Sequence, residues 1–432
     1  VVEIVDSPAR ERPAASAYPV LGDVPAYVRD RLGFFAVAAN APAAVRCRLG
    51  SDGYVLNDPD DVRHVLATNH ANYAKARRLA GHRPEWRSGR GLLTSTGAAH
   101  LRKRRMLQPI FREALVQRVA ERARANADEL LDRWRPGTEV DVAGPLMDLA
   151  QRNIFETLLG SAPEDRVRRL ADASRARRRF VENVYFSPFP FPEYLPTPTN
   201  AAYAREMRRV DPAVYAAIAE RRRARQRPDD LLTMLMDARD EEGRGLGDRE
   251  LRDEILTLAL TGHETVGEAL AWTLYLLAEH PDAAARVSDD GFALRVLKES
   301  MRLFPPTWIY ARVARVADEL PSGARVSPGT MIYLSPYALH RSPRLWPDPE
   351  RFDPDRFLPE AVRARPRYAY FPFGGGPHVC IGESIALAQI LAVLGRVVAR
   401  FRFTVAPAWE VVPEAGLTLR PRGGLPMRLE ER

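Results

Sequence analysis

Apolar and polar positions alternate first at residues 43–57. Val45, Cys47 and Leu49 alternate with Arg46 and Arg48, Gly50-Ser51-Asp52-Gly53 turns the chain, and Tyr54-Val55-Leu56 returns, so a β-hairpin is expected. On such a strand Cys47 reads as a small buried apolar residue. A short helix is expected from Asp60 to Thr68. From His100 to about Asp240 the apolar positions recur at helical spacing. Breaks fall at Pro136-Gly137 and in Ser187–Pro198, where five prolines forbid both helix and central strand. That stretch reads as an ordered apolar loop, either a lid over a binding site or a plain connector. Asp248 to His280 predicts one helix of 33 residues, about 50 Å long. Asp282 to Phe304 continues as helix and stops at Pro305-Pro306. Short strands and turns follow over 306–340, irregular chain over 343–377, a helix over Ser384–Arg402, and a strand-like tail with a turn at Gly423-Gly424. The pattern is mainly α with small β-sheets at both ends. No repeat, linker or shift of composition marks a boundary, so residues 1–432 read as one domain, with 1–18 an extended N-terminal segment.

Composition narrows the classes. With 46% hydrophobic and 28% charged residues among 432, wholesale disorder is excluded. Two cysteines cannot build a disulfide framework, which points to the cytoplasm. The most hydrophobic long stretch, Ile255 to Leu277, carries His263, Glu264 and Glu268, which argues against a membrane span. The 64 basic and 56 acidic residues leave a charge of +8 and a pI near 9.6. The arginines are scattered and no nucleic-acid reader motif is present, so an acidic protein is the favoured charged partner. The densest run, Arg175, Arg177, Arg178 and Arg179, reads as one solvated helix face.

Three segments carry candidate chemistry. In Phe371-Pro-Phe-Gly-Gly-Gly-Pro-His-Val-Cys380-Ile-Gly382, glycines and prolines fix a tight loop and Cys380 precedes a helix. Amides at a helix start favour an anion, so the thiol is expected to shift towards thiolate. A lone thiolate beside a small Gly382 suits an axial metal ligand approached by a flat cofactor. A phosphate loop or a nucleophilic cysteine are the alternatives. The first lacks Gly-Lys-Ser/Thr, and His378 is poorly placed as a base for the second. In the long helix, Thr261-Gly262-His263-Glu264-Thr265 interrupts an apolar run. Gly262 leaves room for something to lie against the helix, and Glu264 with Thr265 offers an acid and an alcohol that can relay protons, unless this is only a satisfied polar patch. Glu299 and Arg302 share one helix face.

These segments, in this order, resemble the cytochrome P-450 superfamily of haem-thiolate monooxygenases. Phe373, Gly374, Gly376, Cys380 and Gly382 match its haem signature, and Glu299-Ser-Met-Arg302 matches its Glu-x-x-Arg motif. Phe352 to Phe357 matches the segment that adds a second arginine, Arg356, to that glutamate. Thr261 to Thr265 matches the oxygen-activating helix, while His100, Arg104 and Arg312 match positions that reach the haem propionates. The resemblance runs from about Pro19 to the C-terminus. Thr261 stands where a small residue is usual, Val266 where a second Thr is frequent, His378 where Arg is common, and His100 where many relatives have Trp.

The resemblance implies haem b held by Cys380 as sole protein ligand to the metal, with His100, Arg104, Gly262, Arg312, Phe373, Gly374, His378 and Gly382 around it, and Glu264 and Thr265 managing protons. It implies O2 as co-substrate and electrons ultimately from NAD(P)H, delivered by a separate ferredoxin and a flavin-dependent ferredoxin reductase. Arg102, Lys103 and Arg105 are the expected docking charges. Substrate-facing positions are expected at Leu79 to Thr94, Phe186 to Leu195, Leu260, Thr261, Thr307, Trp308, Ile309 and Leu417, which favours an apolar small molecule. The composition looks like actinobacterial relatives that oxidise terpenoids or other secondary metabolites. Oxidative coupling without oxygen insertion, a peroxygenase and a non-enzymatic haem sensor are the rival readings. The peroxygenase branch resembles Arg-Pro where Glu264-Thr265 stand, and a sensor needs no acid–alcohol pair.

Overall fold

A computed structural model describes residues 22–41, 43–76, 89–160, 162–186 and 195–432. The 1–18 segment, Leu79 and most of the proline-rich stretch lie outside the described residues. The chain gathers into two compact units, each discontinuous in sequence. The first takes residues up to Ala76, Trp308–Arg351 and Arg363–His378; the second takes Arg77–Thr307, Phe352–Val362 and Val379–Arg432.

The first unit is built on a five-stranded sheet in the order Val45–Arg48, Asp52–Leu56, Met331–Leu334, Tyr310–Ala314, Tyr73–Lys75. The expected hairpin is present, with Val45 opposite Val55 and Cys47 opposite Gly53. Cys47 is buried, and burial beside Asp23 and Asp52 pushes its thiol up to about 12. Alternation places Leu56, Ile332 and Leu334 on the face that packs on Val62, Val65 and Tyr73. The helix expected over residues 60–68 starts at Pro59 and widens into a π-turn at His64–Thr68.

The second unit is helical, and its core joins Phe155, Leu158, Phe180, Tyr203, Val210, Leu251 and Ile255. Phe180 and Tyr203 stack at 4.4 Å between the Glu164–Phe186 and Pro198–Arg223 helices. A three-stranded antiparallel sheet joins Glu139–Asp141, Pro426–Glu431 and Phe401–Val405 in this unit.

Three expectations are corrected here. The single long helix is two helices, Asp248–Thr261 and Glu264–Glu279, interrupted at Gly262-His263. Side chains take over backbone acceptors at the break: the Thr265 hydroxyl donates to the Thr261 carbonyl at 3.2 Å, and His263 Nδ1 meets the Ala259 carbonyl at 2.7 Å. Such side-chain competition, with a glycine at the same point, unwinds a helix locally. The helix expected from Asp282 to Phe304 is also two, because Asp289 accepts from the Gly291 and Phe292 amides and starts a new helix there. The arginine run is not one solvated face. Successive helical residues turn by about 100°, so Arg175 and Arg179 are exposed, while Arg177 is buried on the Leu256 carbonyl.

Candidate active site

In the second unit, Cys380 sits just ahead of the Glu383–Arg400 helix. Its sulfur keeps an open face, although protein crowds it at slightly longer range. The open face admits a ligand, and the crowding desolvates a charge. Burial therefore pushes the thiol up, with Glu383 adding to it, while the Gly382 amide and Arg104 act in the opposite direction. The helix-start effect expected from the sequence is present but is outweighed by burial. Coordination to a metal cation deprotonates such a thiol outright. A Cβ at Gly382 would meet nothing within 4 Å, so that side of the loop is open.

The Gly97–Leu107 helix brings Arg104 to Cys380. The Arg104 guanidinium donates to the Val379 carbonyl and, at 3.4 Å, to Gln108 Oε1. His100 is buried on the same helix. The segment entering this helix is pinned to the Asp248–Thr261 helix by two carboxylates. Arg90 N–H donates to Asp253 at 2.7 Å, and Leu92 N–H donates to Glu254 at 2.9 Å. Sequence reasoning did not find this anchor; two adjacent acids, Asp253 and Glu254, directly ahead of the apolar run Ile255–Leu260 were its signal.

Around the helix break, Thr265 is half-buried and Glu264 is buried, and their side chains are not hydrogen-bonded to each other. Glu264 instead pairs with Arg178 at 3.4 Å. Burial pushes its carboxyl up to about 7, against the pull of Arg178 and Arg420. His263, the alternative proton carrier at this point of the chain, is held neutral because burial lowers it to about 4. Gly262 does not clear space for a cofactor. A Cβ there would lie 2.7 Å from Ile154 Cγ1, so the glycine serves the packing of the Ala143–Leu159 helix.

Glu299, Arg302 and Arg356 are brought together as the motifs suggest. Glu299 and Arg302 are fully buried and bidentate at 2.7 and 2.8 Å, the Asp353 amide donates to Glu299 at 2.8 Å, and Arg356 lies 3.5 Å from it.

In the first unit, Gly374 and Gly376 adopt positive φ, +75° and +60°. A Cβ on Gly376 would sit on the Leu66 carbonyl, so only glycine fits. The Tyr310 hydroxyl donates to the Pro372 carbonyl at 2.7 Å and fixes the approach to Phe373. His378 and Phe373 are half-buried. Arg312 is buried, and burial lowers its pKa; it makes no ion pair among the described residues and donates only to the Ala311 carbonyl.

Of the substrate-facing positions, Leu260 is buried, and Thr261, Thr307, Ile309 and Leu417 are half-buried. Trp308 is a correction: it is fully buried against Phe35 and belongs to the core of the first unit. The docking charges are a second correction. Arg102 pairs with Asp240 at 2.7 Å, Lys103 is buried on Glu254 at 3.1 Å, and Arg105 pairs with Glu241 at 3.0 Å. Each cation is compensated within the unit and offers little net charge to a partner.

The side chains suit a haem. Arg312 is a buried cation with no carboxylate partner among the described residues, which fits an anionic group such as a propionate. Among the described residues, no cluster of three or more His, Cys, Asp or Glu could hold a bare metal ion. Cys380 therefore fits as the one protein ligand of an iron already held by a macrocycle.

A family profile described as Cytochrome P450 matches residues 15–290 and 292–424. The chain belongs to the cytochrome P450 family. It is similar to the pentalenene oxygenase of Streptomyces avermitilis, 32% identical over 83% of this chain and 82% of the relative. It is also similar to the cyclooctat-9-en-7-ol 5-monooxygenase of Streptomyces melanosporofaciens, 34% identical over 83% of this chain and 81% of the relative. The fold matches a retinoic acid-bound cyanobacterial CYP120A1 with a TM-score of 0.84, 23% identity and coverage of 97% of this chain and 98% of that one. This P450 is a haem-thiolate monooxygenase that uses O2, a small-molecule substrate and electrons from a redox partner. The named oxygenases among its relatives do not favour the coupling alternative. No helix among the described residues is long and apolar enough to cross a membrane.

Proposed function

We propose that this P450 hydroxylates or epoxidises an apolar polycyclic terpenoid in secondary metabolism, with Cys380 as the thiolate that would hold the haem iron. The observation that carries the substrate reading is the similarity, over more than four-fifths of the chain, to oxygenases named for pentalenene and cyclooctat-9-en-7-ol. Haem, when bound, supplies the redox chemistry that activates O2, and a thiolate ligand favours cleavage of its O–O bond.

The chain's own residues do the rest. In the helical unit, Arg104 and His100 would hold a propionate. Glu264, buried and poised near neutral pH, holds a proton that it can release, as a general acid must. Thr265 directs its hydroxyl to the break in the helix and would pass that proton on through water. Leu260 and Leu417 would exclude water and orient an apolar skeleton. Electrons would come from NAD(P)H through a flavin-dependent reductase and a ferredoxin in the cytoplasm.

The test is an optical titration of the ferric protein with polycyclic terpenoid hydrocarbons, polyketides and peptides, followed by turnover of any ligand that shifts the haem band. A terpenoid should shift the band and gain one oxygen atom from O2. A shift with peptides or polyketides alone would overturn the substrate reading. For the proton roles, Thr265→Ala and Glu264→Gln should still bind substrate yet release more peroxide per NAD(P)H. Unchanged coupling in both would remove those assignments.

A further inference from the structure

A second buried acid lies one turn beyond Glu264. Glu268 is only 5% exposed, on the Glu264–Glu279 helix, four residues on and hence on the same face. Its carboxyl makes no hydrogen bond among the described residues, although charges surround it. Arg178 from the Glu164–Phe186 helix, Arg420 from the hairpin of Pro413–Ala415 with Leu419–Pro421, and Glu264 from its own helix act on it, and Arg420 in turn pairs with Glu182 and Glu414.

These groups form a graded series from solvent inward. Glu414 is 38% exposed and pairs with Arg420 at 2.7 Å; Arg420 pairs with Glu182, 25% exposed, at 3.2 Å. Arg420 also attracts Glu268 electrostatically. Arg178 reaches Glu264 at 3.4 Å. The arginines cannot give up protons, so only the carboxyls can carry them. An apolar side chain at 268 would satisfy a purely structural helix, since its neighbours Ala269, Leu270 and Ala271 are all buried. An ionisable group without a hydrogen bond, buried at the inner end of a charged series, has no packing rationale.

We propose that Glu268 is a positioning residue for proton supply: it stores a proton beside Glu264 and refills Glu264 from the Glu182–Arg420–Glu414 edge of the unit. This rests on the reading of Glu264 as the proton donor. Burial pushes Glu268 up to about 8, partly through the nearby Glu264, and Glu264 lies at about 7. Because Glu264 raises Glu268, the two titrate as a coupled pair. Both hold protons at mildly acidic pH, and the store empties as pH rises through the upper step. The same network touches Leu417, whose amide donates to Glu182 at 3.2 Å, so a substrate resting on Leu417 would meet the residues that feed protons inward.

The test compares holoenzyme with Glu268→Gln, Glu268→Asp and Glu264→Gln. One readout needs no turnover: the infrared band of protonated carboxyls, followed in the ferric resting protein across roughly pH 5 to 9. Among the buried carboxyls of wild type, the Glu264–Glu268 pair should titrate near pH 7 and 8, and the difference between wild type and Glu268→Gln should be the loss of the upper step. The second readout is product formed per NAD(P)H against pH. In Glu268→Gln the high-pH fall should move down by about one pH unit, and coupling above neutrality should drop roughly threefold or more, less than the ~100-fold floor expected of a direct general acid. Glu268→Asp should restore the profile. Normal carbon-monoxide and substrate-binding spectra in all variants would confine the effect to protons. If Glu264→Gln uncouples while Glu268→Gln keeps both the profile and the two infrared steps, the proposal fails and the Glu264 reading stands. If Glu264→Gln also stays coupled, the underlying reading fails with it.

Discussion

Gly262→Ala separates two uses of a glycine that look alike in sequence. The built Cβ would lie 2.7 and 2.8 Å from Ile154 Cγ1 and Cδ1, and 2.8 Å from the Leu258 carbonyl oxygen. Comfortable carbon contacts are about 3.5–4.0 Å, so the overlap is about 1 Å. Overpacking of that kind costs about 1–3 kcal/mol. Replacing glycine at φ −88°, a conformation alanine adopts freely, returns about 0.4–1 kcal/mol through the unfolded chain. The net expectation is a loss of about 1–2 kcal/mol. Ile154→Ala alone should cost about 2–5 kcal/mol, because Ile154 is 9% exposed within the core. Removing the isoleucine also makes room for the new methyl, so the double variant should be less damaged than the sum by about 1–2 kcal/mol. The assay is urea unfolding followed by far-ultraviolet circular dichroism at matched haem content, with the carbon-monoxide spectrum recorded in parallel. If Gly262→Ala keeps its urea midpoint but loses haem, or if the two substitutions simply add, the packing argument is wrong and the glycine serves the cofactor instead.

Glu299→Gln should lower stability by about 3–5 kcal/mol, since it removes the carboxylate that pairs with the fully buried Arg302; the soluble yield and the urea midpoint report it. Cys380→Ala should abolish the thiolate-type carbon-monoxide band and turnover, whereas Cys47→Ala should leave both intact and a native thiol-labelling assay should miss Cys47, whose thiol is pushed up to about 12. Lys103→Met should destabilise the protein more at neutral than at acidic pH. Burial already raises the Glu254 carboxyl, and without Lys103 its charged form is left unpaired; folded protein then holds the Glu254 proton more tightly than unfolded protein does, so stability falls as pH rises. Denaturant midpoints at two pH values read this difference, and an equal loss at both would refute it.

Local pattern carried much of the fold. The hairpin around Cys47, the final helix and the Gly-rich loop before Cys380 each depend on a few adjacent residues: an alternation of faces, a helical period, or a positive φ that only glycine accepts without strain. The two helix breaks are not legible in the pattern because side chains bonding back to the main chain accompany them, Thr265 and His263 in one case and Asp289 in the other. Apolar periodicity is blind to such a bond.

By itself the sequence determined the family, the thiolate loop, the buried Glu299–Arg302 motif and the acid–alcohol neighbours at Glu264-Thr265, because each is a fixed spacing along one stretch of chain. Only the tertiary structure decided which groups meet them. Arg178 and Arg420 approach Glu264 and Glu268 from distant parts of the sequence, and Ile154 fills the space that Gly262 leaves. Asp240, Glu254 and Glu241 neutralise cations that the sequence offered to a partner. Periodicity says which face of a helix is apolar, but not what packs there, and a charge in sequence carries no record of its counter-ion. Each unit is threaded from three separated segments, so its contacts, and the pKa values that follow from them, exist only once those segments have folded together.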